Sequence, residues 1–98
     1  MEKVELTIKT AKVLEILKDN GGTMFAADIA EIDADLFDKG SRSVSPILVT
    51  LTRRGFVENV GRADRKVLDK DGNEVVRQYA QYAVTDEGAA LVYETKAA

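Results

Sequence analysis

Two β-rich runs, residues 56 to about 68 and 75 to 84, are joined by Lys70-Asp71-Gly72-Asn73. Asp-Gly is the pair preferred in a two-residue type I′ turn, whose central positions both need φ > 0. The stretch from Phe56 to Val84 therefore reads as one long antiparallel hairpin. A two-residue turn at Asp71-Gly72 sets Lys66 opposite Arg77 and Arg62 opposite Gln81, all on one face by the two-residue strand period. Like charges placed opposite each other cost stability, so an anionic partner would account for the pairing.

The chain before the hairpin reads as helical. Val13, Leu14, Ile16 and Leu17 cover one broad side of a helix over about 7–20, with Lys12, Glu15 and Lys18 on the other side. Asn20-Gly21-Gly22 stops it. A short second helix over about 26–33 is expected to bury Ile29 and Ile32. The acidic segment from Asp33 to Gly40 reads as a connector with at most a single helical turn at Leu36-Phe37. A third helix over about 43–54 opens at Ser41-Arg42-Ser43-Val44-Ser45-Pro46, since serine caps helices and proline is tolerated in a first turn. Val44, Ile47, Leu48 and Leu51 repeat at helical spacing, and Gly55 closes the helix. After the hairpin, Thr85-Asp86-Glu87-Gly88 opens a last helix over about 86–95. The fold class is α+β, in the order helix, helix, helix, hairpin, helix, and 98 residues suit one domain over 1–98.

Composition narrows the chemistry. The chain has no cysteine and no histidine, which removes thiolate chemistry, disulfides, and the commonest general base and metal ligand. Asp33, Asp35 and Asp38 lack the glycine and glutamate spacing of a calcium loop. No nucleophile-and-base pair and no phosphate-cradling glycine loop is present. We expect no catalytic residue, no metal, no cofactor and no enzyme. No run is long enough to span a membrane, and the opening residues lack a signal peptide's apolar core, so the expected setting is cytoplasmic. The net charge of −3 is unevenly spread. Residues 1–38 carry 4 basic and 9 acidic groups, residues 39–77 carry 9 and 5, and residues 78–98 carry 1 and 3. Screening acts over roughly 8 Å at physiological salt, so the basic middle can govern its own contacts.

Four pieces in order resemble the winged-helix superfamily, and MarR-type bacterial regulators most closely. They are Ala26-Ala27-Asp28-Ile29-Ala30, Ser43-Val44-Ser45-Pro46-Ile47-Leu48, Leu51-Thr52-Arg53-Arg54-Gly55-Phe56-Val57-Glu58 and Tyr82-Ala83-Val84-Thr85-Asp86-Glu87-Gly88. The resemblance implies a winged helix: a three-helix helix-turn-helix core, a hairpin wing and a C-terminal helix. It also implies a transcriptional regulator that binds double-stranded DNA, with helix 43–54 in the major groove and the wing at 62–77 on the backbone. The chain departs from the pattern in two places. Its connector at 33–42 is longer than usual, and the long flanking helices of MarR-type dimers are missing.

On the third helix, Arg42, Pro46, Val49 and Arg53 centre on the side opposite the apolar stripe, with Ser43, Ser45 and Thr50 flanking. Arginine can bind guanine bidentately, hydroxyls serve either base, and an apolar group can touch a thymine methyl. On the hairpin, Arg62, Arg65, Lys66 and Arg77 are the expected phosphate contacts, which position without reading sequence. A homodimer through the first and last helices is expected from the symmetry of duplex sites. Two alternatives stay open. These faces can be merely solvated, or the fold can serve as a protein-interaction module, which the acidic ends favour.

Overall fold

The structure is a computed structural model that describes residues 4–96. Strand β1 (Val4–Thr7) leads into helix α1 (Ile8–Asn20), then β2 (Met24–Phe25), α2 (Ala26–Ile32) and α3 (Ser41–Arg53). Strands β3 (Val57–Leu68) and β4 (Glu74–Val84) form the hairpin, followed by α4 (Asp86–Ala90) and β5 (Tyr93–Lys96). The architecture is α+β, with two separate sheets: β2-β4-β3, and β1 paired in parallel with β5.

Helix α1 starts where the Thr7 hydroxyl accepts from the Thr10 amide at 3.2 Å, and ends at Gly21 with φ of 71°. Its buried residues Ala11, Val13, Leu14, Ile16 and Leu17 fill the centre of the core, with Ile29, Val44, Leu48, Leu51 and Val57. In α2, Ile29 is fully buried, but Ile32 is exposed, against expectation. The helix ends at Ile32 because the chain turns at Asp33, and Ile32 falls outside the packed stripe.

The connector is more structured than its charge implies. The Asp33 side chain accepts from the Leu36 amide at 3.3 Å, and the Phe37 amide donates to the Asp33 carbonyl at 3.0 Å. That single turn drives Phe37 into the core, where only 1% of it remains exposed. The three acids of the segment, Asp33, Asp35 and Asp38, stay at the surface or half-buried, so the segment is amphipathic over one turn.

Helix α3 begins at Ser41, two residues earlier than expected, with Gly40 at φ 62° as its N-cap and no serine side chain capping it. Pro46 therefore lies in the second turn rather than the first. Lacking an N–H, it leaves the Arg42 carbonyl without its helical donor. Pro46 is exposed, so water can reach the freed carbonyl side. The helix closes as expected. Gly55 has φ of 84°, the Phe56 amide donates to the Leu51 carbonyl at 3.0 Å, and the Gly55 amide donates to the Thr52 carbonyl at 3.1 Å. This is a Schellman ending.

The hairpin register differs from the two-residue prediction. Arg65 stands opposite Arg77, Lys66 opposite Val76, and Arg62 opposite Ala80. Asp71 has negative φ and only Gly72 is left-handed, at 81°, so a type I′ turn is excluded. The loop has three residues instead. The Gly72 amide donates to the Asp69 carbonyl at 3.1 Å, and the Asp69 carboxylate accepts from the Asp71 and Asn73 amides, both at 2.9 Å. Nearer the base, Val60 is an extra residue between Asn59 and Gly61 and bulges the strand.

The C-terminal segment also departs from expectation. Helix α4 covers only Asp86–Ala90, capped by Thr85, and Leu91 is already extended. Tyr93 to Lys96 then pair in parallel with Val4 to Thr7. Leu6 on β1 is buried and Val4 and Tyr93 pack on the core, so the strand pair closes over α1.

Candidate nucleic-acid interface

The burial pattern divides α3 into two sides. Val44, Leu48 and Leu51 have no exposure at all and Ile47 is half-buried. Opposite them, Arg42, Ser45, Pro46, Val49, Thr50 and Arg53 are exposed, with Val49 at 50%. Among the described residues, no hydrogen bond, ion pair or ring contact engages the side chains of Arg42, Ser45, Val49 or Arg53. Two flanking hydroxyls are in use. The Ser43 hydroxyl accepts from the Lys39 amide at 3.2 Å, fastening the helix entry, and the Thr50 hydroxyl donates to the Pro46 carbonyl at 3.1 Å. Arg54, next to Arg53 in sequence, lies 5.2 Å over the Phe56 ring and belongs to the helix exit instead.

The hairpin cations do not share one face. The observed register puts Arg65 and Arg77 on one side and Arg62 and Lys66 on the other. Arg65 is tied to the body of the protein. Its guanidinium donates to the Asp28 carboxylate at 2.7 Å, lies 3.6 Å from the Glu31 carboxylate, and sits 5.9 Å over the Phe25 ring. The hydrogen bond with Asp28 raises the Arg65 pKa still further, against the opposing effect of partial burial. The charge of Arg65 is thus offset within the fold, and the phosphate contact expected of it has no unpaired cation to make it. Its neighbour across the strand, Arg77, is exposed and without a partner among the described residues. The face carrying Arg65 and Arg77 is the one turned toward α2, so Arg77 stands on the α2 side of the hairpin. Arg62 also has no partner among the described residues, and Lys66 approaches Glu74 only at 3.9 Å with both side chains well exposed.

Arg65 and Asp28 are 37 residues apart, and the sequence held a signal for neither as a pair. The slipped register hides it, because a two-residue turn puts Arg65 on the face opposite Arg77. Among the described residues, no group of three or more acidic, histidine or cysteine side chains is placed to hold a metal ion. No helix among them is long and apolar enough to cross a membrane.

Among solved structures, the chain is similar to a "putative transcriptional regulator" from Thermoplasma acidophilum. It is 22% identical, with a TM-score of 0.50, over 83% of this chain and 72% of that one. The likeness is one of fold. No protein-family model matches the chain, and no curated protein is similar to it.

Proposed function

We propose that the chain is a winged helix-turn-helix domain that binds double-stranded DNA and regulates transcription by occupying its site. Helix α3 enters the major groove and the β3–β4 hairpin is the wing. The observation that carries this reading is the division of α3 between a buried apolar stripe and an exposed face on which Arg42, Ser45, Val49 and Arg53 are unengaged by any described residue. Those side chains suit base edges: arginine for guanine, hydroxyl for either base, and an apolar group for the thymine methyl. Ser43 and Pro46 shape the entry of the helix, and Thr50 flanks the face. On the wing, Arg77 is the phosphate contact on the side facing α2, while Arg62 and Lys66 lie on the other side, toward a neighbouring stretch of backbone. The likeness to MarR-type regulators over residues 26–88 supports the same reading. The same reading has the protein act in the cytoplasm without catalysis and, because duplex sites are symmetric, meet them as a homodimer.

The experiment is selection from a mixed pool of duplexes across a salt series, followed by variants on the retained sequence. Arg53→Ala should weaken the retained site by about 1–3 kcal/mol and affect random duplexes less. Arg77→Gln should weaken all duplexes alike and lower the salt slope by about one unit, since one fewer counterion is released. Equal, feeble affinity for every duplex, unchanged in both variants, would overturn the proposal and point to a protein partner for the α3 face.

A further inference from the structure

A cavity of about 420 Å³ opens between the start of α2, the start of α3 and the middle of the hairpin. That size is within the range of small-molecule sites, roughly 300–1,000 Å³. Phe25 and Tyr79 line it on the hairpin face that carries Arg65, Tyr82 borders it from the other face, and Ser41 and Ser45 contribute hydroxyls. Neither hydroxyl has a hydrogen-bond partner among the described residues. Arg65 is the only charged side chain on the lining, and its guanidinium is already matched by Asp28 at 2.7 Å and Glu31 at 3.6 Å. An anion entering here would meet a cation with two carboxylates beside it, and would gain little. A cation would face the aromatic rings but also the guanidinium. The lining therefore suits a flat, uncharged molecule that stacks on rings and exchanges a hydrogen bond with a hydroxyl.

We propose that this cavity is a binding site for an uncharged bicyclic aromatic compound, stacked against Phe25 and Tyr79 and hydrogen-bonded by Ser41 or Ser45. Three elements meet at the cavity, and two of them, α3 and the wing, are those proposed to touch DNA. An occupant fixes the angle between them, and favours or opposes DNA binding according to which wing position it matches. That consequence rests on the DNA-binding reading, whereas binding of the compound does not.

The test uses indole as probe and the full chain without DNA, followed by amide NMR. Saturable shifts are expected at Phe25 to Ala27, Ser41, Ser45, Val67 and Tyr79 to Tyr82, with little change along Val13 to Leu17. Ala27→Leu, which fills the cavity from its helical wall, should raise the dissociation constant about tenfold or more. Tyr79→Ala is the second variant, should the first disturb folding, and should also weaken binding. Indole-3-carboxylate should bind more weakly than indole. The site is refuted if indole gives no saturable shift up to its solubility limit, or if folded Ala27→Leu and Tyr79→Ala bind as well as wild type. A carboxylate that binds as tightly as indole refutes its neutral character. Should indole bind as described while no duplex does, the site stands and only its regulatory consequence is lost.

Discussion

Gly88 shows how much one missing side chain can decide. It is buried at the start of α4, and a Cβ there would overlap the Phe56 carbonyl oxygen and lie 2.8 Å from the Phe56 carbonyl carbon and from Val84 Cγ2. The close approach is made by Thr85. Its hydroxyl donates to the Gly55 carbonyl at 2.6 Å and accepts from the Gly88 amide at 3.0 Å, while its own amide donates to the Phe56 carbonyl at 3.1 Å. One threonine thus joins the exit of α3 to the base of the hairpin, and glycine is what lets the two backbones meet. Gly88→Ala should cost about 2–4 kcal/mol, because the obstacle is backbone and cannot swing aside. Urea denaturation measures it, and a cost below about 0.5 kcal/mol would mean that the two segments do not touch in solution. Phe37 makes a parallel case in the connector. Buried to 1% exposure, it should cost about 3–5 kcal/mol on replacement by alanine, whereas a solvated loop residue would cost almost nothing.

At the scale of elements, much of the fold was legible because the signals were local. Gly21, Gly55 and Thr85 act at the helix ends where their chemistry places them. The apolar spacing of α3 correctly separates its buried side from its exposed side. Three features were not legible, for separate reasons. Asp71-Gly72 is compatible with two- and three-residue loops, and the choice falls to the Asp69 carboxylate, which binds two loop amides. That one-residue difference moved Arg77 off the face of Arg62 and Lys66. Leu91-Val92-Tyr93 fits a helix or a strand equally by pattern, and its partner strand lies at the opposite end of the chain. Phe37 was masked by the acids around it. The exposed side of α3 followed from helical periodicity, whereas the wing's charge pattern needed the register.

The hairpin's position depends on a tie that its length alone does not provide. Beyond β2, the outer part of β4 has only β3 as a partner, and two-stranded hairpins are marginal by themselves. Arg65 holds this outer part to α2 through Asp28, Glu31 and the Phe25 ring. Asp28 is 40% exposed, so the tie contributes less than about 1 kcal/mol to global stability. Its effect is expected to be local. Arg65→Met should leave the denaturation midpoint almost unchanged while speeding amide hydrogen exchange from Val67 to Tyr79. Unchanged exchange there would show that the hairpin is held by something other than Arg65.

At the scale of the whole molecule, extents of 52 × 26 × 20 Å describe a packed helical body with the hairpin projecting from it. The apolar side of α1, one of the two helices expected at a dimer interface, is used within the chain: Val13, Leu14, Ile16 and Leu17 are covered by α3, β1 and their neighbours. The last helix is too short to take part and gives way to β5. What remains exposed and apolar at that end is Ile8 at 48% and Val92 at 59%, so a homodimer, if formed there, depends on them rather than on α1. Sedimentation should then show a dimer that Val92→Asp dissociates; a wild-type monomer at high micromolar concentration would remove the dimer from the proposal.

The two ends of the described chain are fastened by the β1–β5 pair, by the Lys96–Glu5 ion pair across it at 3.8 Å, and by a side-chain bond from β5 to α1. The Tyr93 hydroxyl donates to Glu15 Oε1 at 2.9 Å, linking β5 to α1. Partial burial, with the hydrogen bond to Glu15 and that carboxylate's charge, raises the Tyr93 pKa above its ordinary value. The sign of the linkage follows from that direction. Tyr93 loses a proton less readily in the folded state than in the unfolded state. The stability it contributes is therefore complete below the unfolded pKa of about 10 and is lost as pH rises through the higher folded value. Ionised, the phenolate would face the Glu15 carboxylate with no proton between them. Stability should thus fall above about pH 10 more steeply in wild type than in Tyr93→Phe, which lacks the titrating group. The fall should be accompanied by loss of amide protection along Val4 to Thr7, since β5 is the strand paired with them. Parallel stability curves for the two proteins through that range would show that Tyr93 titrates as it does in the unfolded chain, and that the bond to Glu15 does not hold the ends together.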